Sequence, residues 1–342
     1  MKIIIKIILL FIIALFIYLL FPIKNDKLIY IPPKNNKYFE QSIHIQKTNL
    51  NSLDILILKL YNIKSGWVRV SPNANRYQLF KELLTNKRES TRKVVMYGGD
   101  TIYNFTKTIA KQTKLNRDKL EKIYKKLSPF YEAGIIAQKY DIPYKTTEYS
   151  LISYMVGKTN NYYKVLAKNE GLNFKSKAFK KRLIIASIIE KETQDYNEMP
   201  LISAVIQNRL KRDIKLQMDA TLNYGKFSHT IITPTFIRHN KSKYNTYKYK
   251  GLPPEPIGSV SRVSLLSAFL PAKVNYMYFV KKPKGGHVFS ITYKKHKSRV
   301  QAYKTNLSKI RARKLNKLIN KPLKIYFPNM IPKIHIPVYK SK

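Results

Sequence analysis

The sequence predicts an α+β protein carried behind one apolar N-terminal helix, and three observations predict it. The chain opens on an unbroken apolar run from Ile7 to Ile23, extended back to Ile3 across Lys6. Short β-rich runs then mix with amphipathic helical patterns up to about residue 145. From about 176 to 305 long helical patterns precede a strong strand. With 342 residues the chain can bury one or two cores, and an apolar share of 44% excludes a disordered chain.

The first run has the ~20 apolar residues that a membrane-spanning helix needs. Lys2, Lys6 and Lys24 flank it, and Leu19-Leu20-Phe21-Pro22-Ile23 lacks the small residues of a cleavage site. An uncleaved anchor, residues 1–23, is expected, with a short basic tail inside and a long domain outside. Residues 24–40 are polar and Pro-containing and read as a linker. Gly66 to Val70 reads as a strand. Arg76 to Leu84 reads as a helix with Leu79, Phe80, Leu83 and Leu84 on one face. Lys93 to Tyr97 is a second strand, closed by Gly98-Gly99, after which Asp100 or Thr101 caps a helix through Ala110. Such a unit, spanning 41–145, suggests a small binding module.

In the second half, Ser176 is placed to cap a helix to about Glu192 that contains Leu183 to Ile189. Asn197 is expected to cap the next helix, with Pro200 in its first turn and Leu201, Ile202, Val205 and Ile206 as its buried face. Tyr276 to Val280 is a strand before a Gly285-Gly286 turn. Beyond residue 320, Pro322, Pro328, Pro332 and Pro337 preclude a continuous helix in a basic tail, 321–342.

The chain carries 65 basic residues against 19 acidic, a net charge of +46. Such a surface attracts anions, although abundant Lys, Ile, Asn and Tyr are equally the mark of an AT-rich coding bias. The Lys residues are spread rather than striped, and an anchored domain outside the cell rarely meets DNA, so no nucleic-acid partner is expected. There is no cysteine, which excludes disulfides, thiolate metal sites and a cysteine nucleophile. His44, His229, His239, His287, His296 and His335 are scattered without a metal-ligand spacing, and no phosphate loop or serine elbow is present. Acid–base work by a carboxylate is the remaining chemistry. Glu190, Glu192, Asp195 and Glu198 cluster, with Asp219 further on. Glu190 ends an apolar run, one turn from Ala186 and Ser187, where desolvation is expected to raise its pKa toward that of a general acid.

Ala186-Ser187-Ile188-Ile189-Glu190-Lys191-Glu192-Thr193 resembles the A-S-I-V-E-K-E-T signature of the MltG/YceG-like endolytic murein transglycosylases. In the family's order follow Val205-Ile206-Gln207-Asn208-Arg209-Leu210, Leu216-Gln217-Met218-Asp219-Ala220-Thr221 with Tyr224-Gly225, and Tyr244-Asn245-Thr246-Tyr247. Then come Gly251-Leu252-Pro253-Pro254-Glu255-Pro256-Ile257, Gly286-His287-Val288-Phe289-Ser290, and His296 at the family's later histidine. Met218, Ala220 and Glu255 depart from the pattern, and the family's E-G-x-x-F-P-x-T-Y stretch is degraded to Glu132-Ala133-Gly134-Ile135-Ile136-Ala137-Gln138-Lys139-Tyr140. Gly66 to Leu84 and the Gly98-Gly99 turn resemble the family's LysM-like glycan-binding module more loosely.

The resemblance implies a LysM-like α/β module at 41–145 and a mixed α+β transglycosylase domain at 146–320. It implies a lyase that cuts the MurNAc–GlcNAc bond of nascent peptidoglycan without water, leaves 1,6-anhydroMurNAc ends and so limits strand length. Glu190 would be its catalytic residue. Gln217, Asp219, Asn245, Tyr247 and His287 would contact substrate, with Glu192, Asn208 and Arg209 in support. No cofactor or metal is implied. The partners would be peptidoglycan glycan strands, the cytoplasmic (inner) membrane crossed once with the catalytic domain outside or in the periplasm, and by family analogy peptidoglycan synthases. A non-catalytic peptidoglycan-binding scaffold, and a hydrolase pairing Glu190 with Asp219, are the competing readings.

Overall fold

The structure is a computed structural model and describes residues 2–23, 28–33, 49–61, 63–225, 231–283 and 285–319. The tail expected at 321–342 and most of the expected linker lie outside the described residues. Among the described residues the architecture is mixed α+β, with helices around three two-stranded antiparallel ribbons.

Helix α1 (Lys2–Leu20) is apolar all round and exposed along nearly its whole length. Its Ile3–Leu20 stretch has a mean hydropathy of 3.2, enough by length and composition to cross a membrane. The chain then passes directly into a folded unit. Ile23 N–H donates to Ala74 O at 2.9 Å, and the Tyr18 hydroxyl donates to Asp54 Oδ1 at 2.6 Å. Arg76 pairs with the fully buried Asp54 at 3.0 Å and lies 4.5 Å from the centre of the Tyr18 ring. Residues 28–31, expected within a linker, instead form strand β1 (Leu28–Ile31), paired with β2 (Gly66–Arg69) so that Leu28 faces Arg69 and Ile31 faces Gly66. A β-strand presents alternate side chains to opposite faces, and this ribbon uses both. Ile29, Ile31 and Val68 enter a small core with α2 (Ser52–Leu60) and α3 (Arg76–Thr85). Leu28 and Trp67 enter the large core. Leu79, Phe80 and Leu83 of α3 are buried as expected, whereas Leu84 is turned out to solvent.

The second unit is strand–helix–helix–strand: β3 (Thr91–Met96), α4 (Ile102–Thr113), α5 (Arg117–Leu127) and β4 (Gln138–Pro143). β3 and β4 pair from Thr91↔Pro143 to Met96↔Gln138. Thr101, not Asp100, caps α4, its side chain accepting from Asn104 N–H. The large core runs without a break from this unit into the second half, through α6 (Glu148–Asn169). At its centre Trp67 packs edge-on against Tyr154 at 4.9 Å and donates from Nε1 to Asp141 O.

Helix α7 (Lys177–Glu192) is capped by Ser176, and Leu183 to Ile189 are all buried. A helix apolar on every side is one enclosed by neighbours. Here they include α8 (Met199–Lys211) and α11 (Arg262–Phe269). The expected Asn197 cap of α8 is not formed. Glu198 is its N-cap residue, without a side-chain capping bond, because its carboxylate is engaged by His287. Short helices α9 (Asp219–Leu222) and α10 (Pro234–His239) follow. The last ribbon, β5 (Tyr278–Lys281) with β6 (His287–Ser290), leads into α12 (Tyr293–Ile319). β5 starts two residues later than expected, because the carbonyls of Val274 and Tyr276 are taken by Asn208 Nδ2.

Candidate active site

The C-terminal end of α7 opens into a cleft of about 880 Å³. Glu190, Lys191 and Glu192 line it together with Gly98-Gly99-Asp100, the Gln217–Ala220 segment, Tyr247, the β5–β6 hairpin and the start of α12. Segments far apart in the chain thus meet at one place.

Glu190 is half-buried, and its Oε2 accepts the backbone N–H of Ser261 at 2.8 Å. Ser261 caps α11 in a capping box, so that N–H is itself well placed. The other carboxylate oxygen packs on Gly98, where an added Cβ would collide with Glu190 Oε1. The glycine turn is in turn sealed to the 258–261 loop. Gly99 N–H donates to Ser259 O at 3.0 Å, Ser259 N–H to Asp100 O at 2.7 Å, and a Cβ on Gly258 would strike Gly99 O. Gly258 is therefore required by close approach to backbone and Gly99 by its φ of +79°, while Gly98 leaves the room that the end of the Glu190 side chain fills.

Glu192 is the carboxyl of this helix end that burial raises, to a pKa of about 7, with the Asp219 charge adding to the effect. One of its oxygens, Oε1, is buried without a hydrogen-bond partner. Glu192 turns beneath the Asp219 segment. Asp219 is exposed in the cleft and accepts from the Tyr247 hydroxyl at 2.6 Å.

Gln217 lies in the cleft in a left-handed backbone conformation, φ +52°, which is strained for a residue with a side chain. The segment is held from both sides. Gln217 N–H donates to Thr246 O, and Arg209 donates to the carbonyls of Lys215 and Leu216 and to Gln217 Oε1. The same guanidinium donates from Nε to Met277 O, and Asn208 bonds the preceding segment, so both tie the hairpin to α8. Asn245 is fully buried and outside the cleft lining. Its amide donates to Ile237 O and Asn240 O and its Oδ1 accepts from Tyr247 N–H, so it shapes the turn that presents Tyr247. His287 lines the cleft at 8% exposure. Glu198 accepts both its backbone N–H and its Nδ1, at 2.6 and 2.7 Å, while Nε2 has no partner. Burial pushes the Glu198 pKa up, but these bonds outweigh it and the net shift is down.

Sequence reasoning gave Glu132 no role. It is 3% exposed, accepts Ile102 N–H at 2.8 Å, and burial raises its pKa to about 7 against the opposing pull of Ile102 N–H and Lys191. Lys191 is lowered to about 8 by burial, and donates to Asn223 O. The glutamate surviving at the head of the degraded 132–140 stretch was the available signal. Among the described residues no group of His, Asp and Glu could hold a metal ion.

The arrangement brings together one hydrogen-bonded carboxyl group, a second carboxyl whose pKa burial raises, and polar and aromatic groups around one cleft. Comparison with known proteins points the same way. An endolytic murein transglycosylase of Bacillus subtilis (strain 168) is 28% identical over 290 residues, covering 82% of this chain and 78% of that protein. The endolytic murein transglycosylase of Streptococcus pneumoniae (strain D39) is 32% identical over 168 residues, 46% of this chain and 29% of that longer protein. The crystal structure of a YceG-like protein from Listeria monocytogenes superposes with a TM-score of 0.52 at 26% identity, over 79% of this chain and 97% of that one. The sequence model of the YceG-like family matches residues 33–302, and this chain belongs to that family.

Proposed function

We propose that the chain is an endolytic murein transglycosylase that cuts the MurNAc–GlcNAc bond of peptidoglycan and leaves 1,6-anhydroMurNAc ends. The observation that carries the reading is the placement of Glu190, which lines the cleft and is oriented by Ser261 N–H. Ordinary glycosidases use two carboxyl groups, one as acid and one to attack or to activate water. A transglycosylase needs one, because the sugar's own 6-hydroxyl is a tethered nucleophile of high effective molarity. Glu190 protonates the leaving oxygen and then accepts the proton of that hydroxyl. Gln217, Asp219, Tyr247 and His287 supply polar groups around the developing positive charge. Asn208, Arg209 and Asn245 support by holding loops. Residues 41–145 are assigned to a LysM-like glycan-binding module, with β3–α4–α5–β4 as its strand–helix–helix–strand unit, and residues 146–320 to the catalytic domain. Helix α1 is assigned as a single-pass anchor in the cytoplasmic membrane, with the cleft outside beside the synthases that extend new strands. A hydrolase is the second reading, supported by Asp219 lining the same cleft as Glu190.

The test is digestion of purified glycan strands by the full-length protein, with the product ends read by mass spectrometry. Glu190→Gln should lower cleavage by about 10³-fold while strand binding persists. Ends carrying an added water would replace the proposal with hydrolysis. Full activity in the variant would move the assignment to Glu192 or Asp219.

A further inference from the structure

The β5–β6 hairpin and α12 line the cleft with rings, among them Tyr278, Tyr293 and His296. Tyr293 and His296 are three residues apart on α12 and so share a face. The His296 ring stacks on Tyr278 at 5.0 Å with an interplanar angle of 20°, and the Arg209 guanidinium lies 4.9 Å from the centre of the same tyrosine. Arg209 is itself bonded to Met277, Lys215 and Leu216, so this stack fixes the plane of the imidazole. His296 Nδ1 is nevertheless buried without a hydrogen-bond partner. Tyr293 touches the stack only obliquely, 5.9 Å from Tyr278 at 56°, and is 63% exposed.

A large ring left open to solvent in a cleft, next to a fixed imidazole with an unsatisfied nitrogen, is incomplete as packing. Burial, and then the Arg209 charge, hold the His296 pKa below its ordinary value, and with Nδ1 buried the ring has Nε2 left to meet a ligand. An apolar ring face and one ring nitrogen able to donate or accept suit a pyranose, which has a flat C–H face and equatorial polar groups. We propose that Tyr293 and His296 form a saccharide subsite that holds an uncharged sugar of the strand beside the one on which Glu190 acts. Tyr293 takes the face of the ring, and His296 hydrogen-bonds a hydroxyl or acetamido group. This rests on the glycan-cleaving reading of the cleft.

The experiment measures binding of uncrosslinked, peptide-free glycan strands to the full-length protein in detergent, in a Glu190→Gln background. Tyr293→Ala and His296→Ala should each weaken binding about five- to tenfold. With Glu190 restored, KM should rise by the same factor and kcat stay within about twofold. His296→Phe keeps the stack and removes the hydrogen bond, and should weaken binding as His296→Ala does. Unchanged binding in Tyr293→Ala and His296→Ala, or a fall in kcat at constant KM, overturns the subsite. Should the Glu190 assignment fail, the Glu190→Gln background releases product, which mass spectrometry reads apart from the loss of binding. Tyr293→Ala removes an exposed side chain and guards against a folding defect in the His296 variants.

Discussion

Along the end of α7 the cleft is lined by ionisable groups, Glu190, Lys191 and Glu192, carried on a helix whose preceding two turns are wholly buried. Along the β5–β6 hairpin and α12 it is lined by rings on elements that hydrogen bonds hold, Asn208 and Arg209 tying the hairpin to α8 and Arg299 tying α12 to β6. The first wall gains its precision from packing and the second from a few charged and amide donors. A buried helix end cannot move without opening a cavity, which suits proton transfer over a fixed distance. A hairpin pinned by donors keeps its rings in register while leaving their faces open, which suits holding a polymer.

The contrast can be broken from either side. Gly98→Ala should have the largest effect on the first wall, because the new Cβ collides with Glu190 Oε1. A displacement of about 1 Å in a catalytic group costs about 100-fold in rate, so cleavage should fall by that order with the melting temperature little changed. A variant with wild-type cleavage rates would show that the carboxylate is not held by this turn. Arg209→Lys strikes the second wall. It removes the fork that bonds Met277, Lys215, Leu216 and Gln217 at once, and should lower stability by about 2–4 kcal/mol in a denaturant titration. Loss of less than about 1 kcal/mol would mean that the hairpin is held by its own packing.

The smallest effect is electrostatic and belongs to the first wall. Burial raises the Glu192 pKa from 4.5 to about 7, so the folded chain binds this proton more tightly than the unfolded chain. Its contribution to stability is therefore full below about pH 4.5 and is lost as the pH rises through about 7. Glu192→Gln should flatten that decline in melting temperature against pH, leaving the share due to Glu132, whose pKa is also about 7. An unaltered pH profile would place Glu192 in water rather than beneath the Asp219 segment.

Much of this was legible from residues near one another in the chain. Ser176 and Thr101 cap helices as their side chains dictate, the Leu183–Ile189 run is buried on every side, and Gly98-Gly99 makes the turn that a carboxylate packs against. Four-residue β1 was not legible, because so short a strand has little periodic signal and its partner lies across the small core's first helix. Asn245 was expected to meet substrate. Type and motif position alone cannot separate an amide that reaches a ligand from one whose donors and acceptor are all met by backbone. Burial raises the Glu192 pKa through the Asp219 segment packed over it, a contact that no local pattern records.

By itself the sequence determined the apolar first helix, the Ser176 cap, the order of the glycan-cutting family's motifs and hence the carboxylate block at 190–192. Each depends on side chains within a few residues of one another, where local chemistry decides the conformation. The tertiary structure alone decided which carboxyl is desolvated, that Glu198 holds His287, that Arg209 joins two loops and a hairpin, and that Tyr293 and His296 face the same space as Glu190. Desolvation and long-range hydrogen bonding depend on what the rest of the chain brings close, and distance along the sequence carries no record of that.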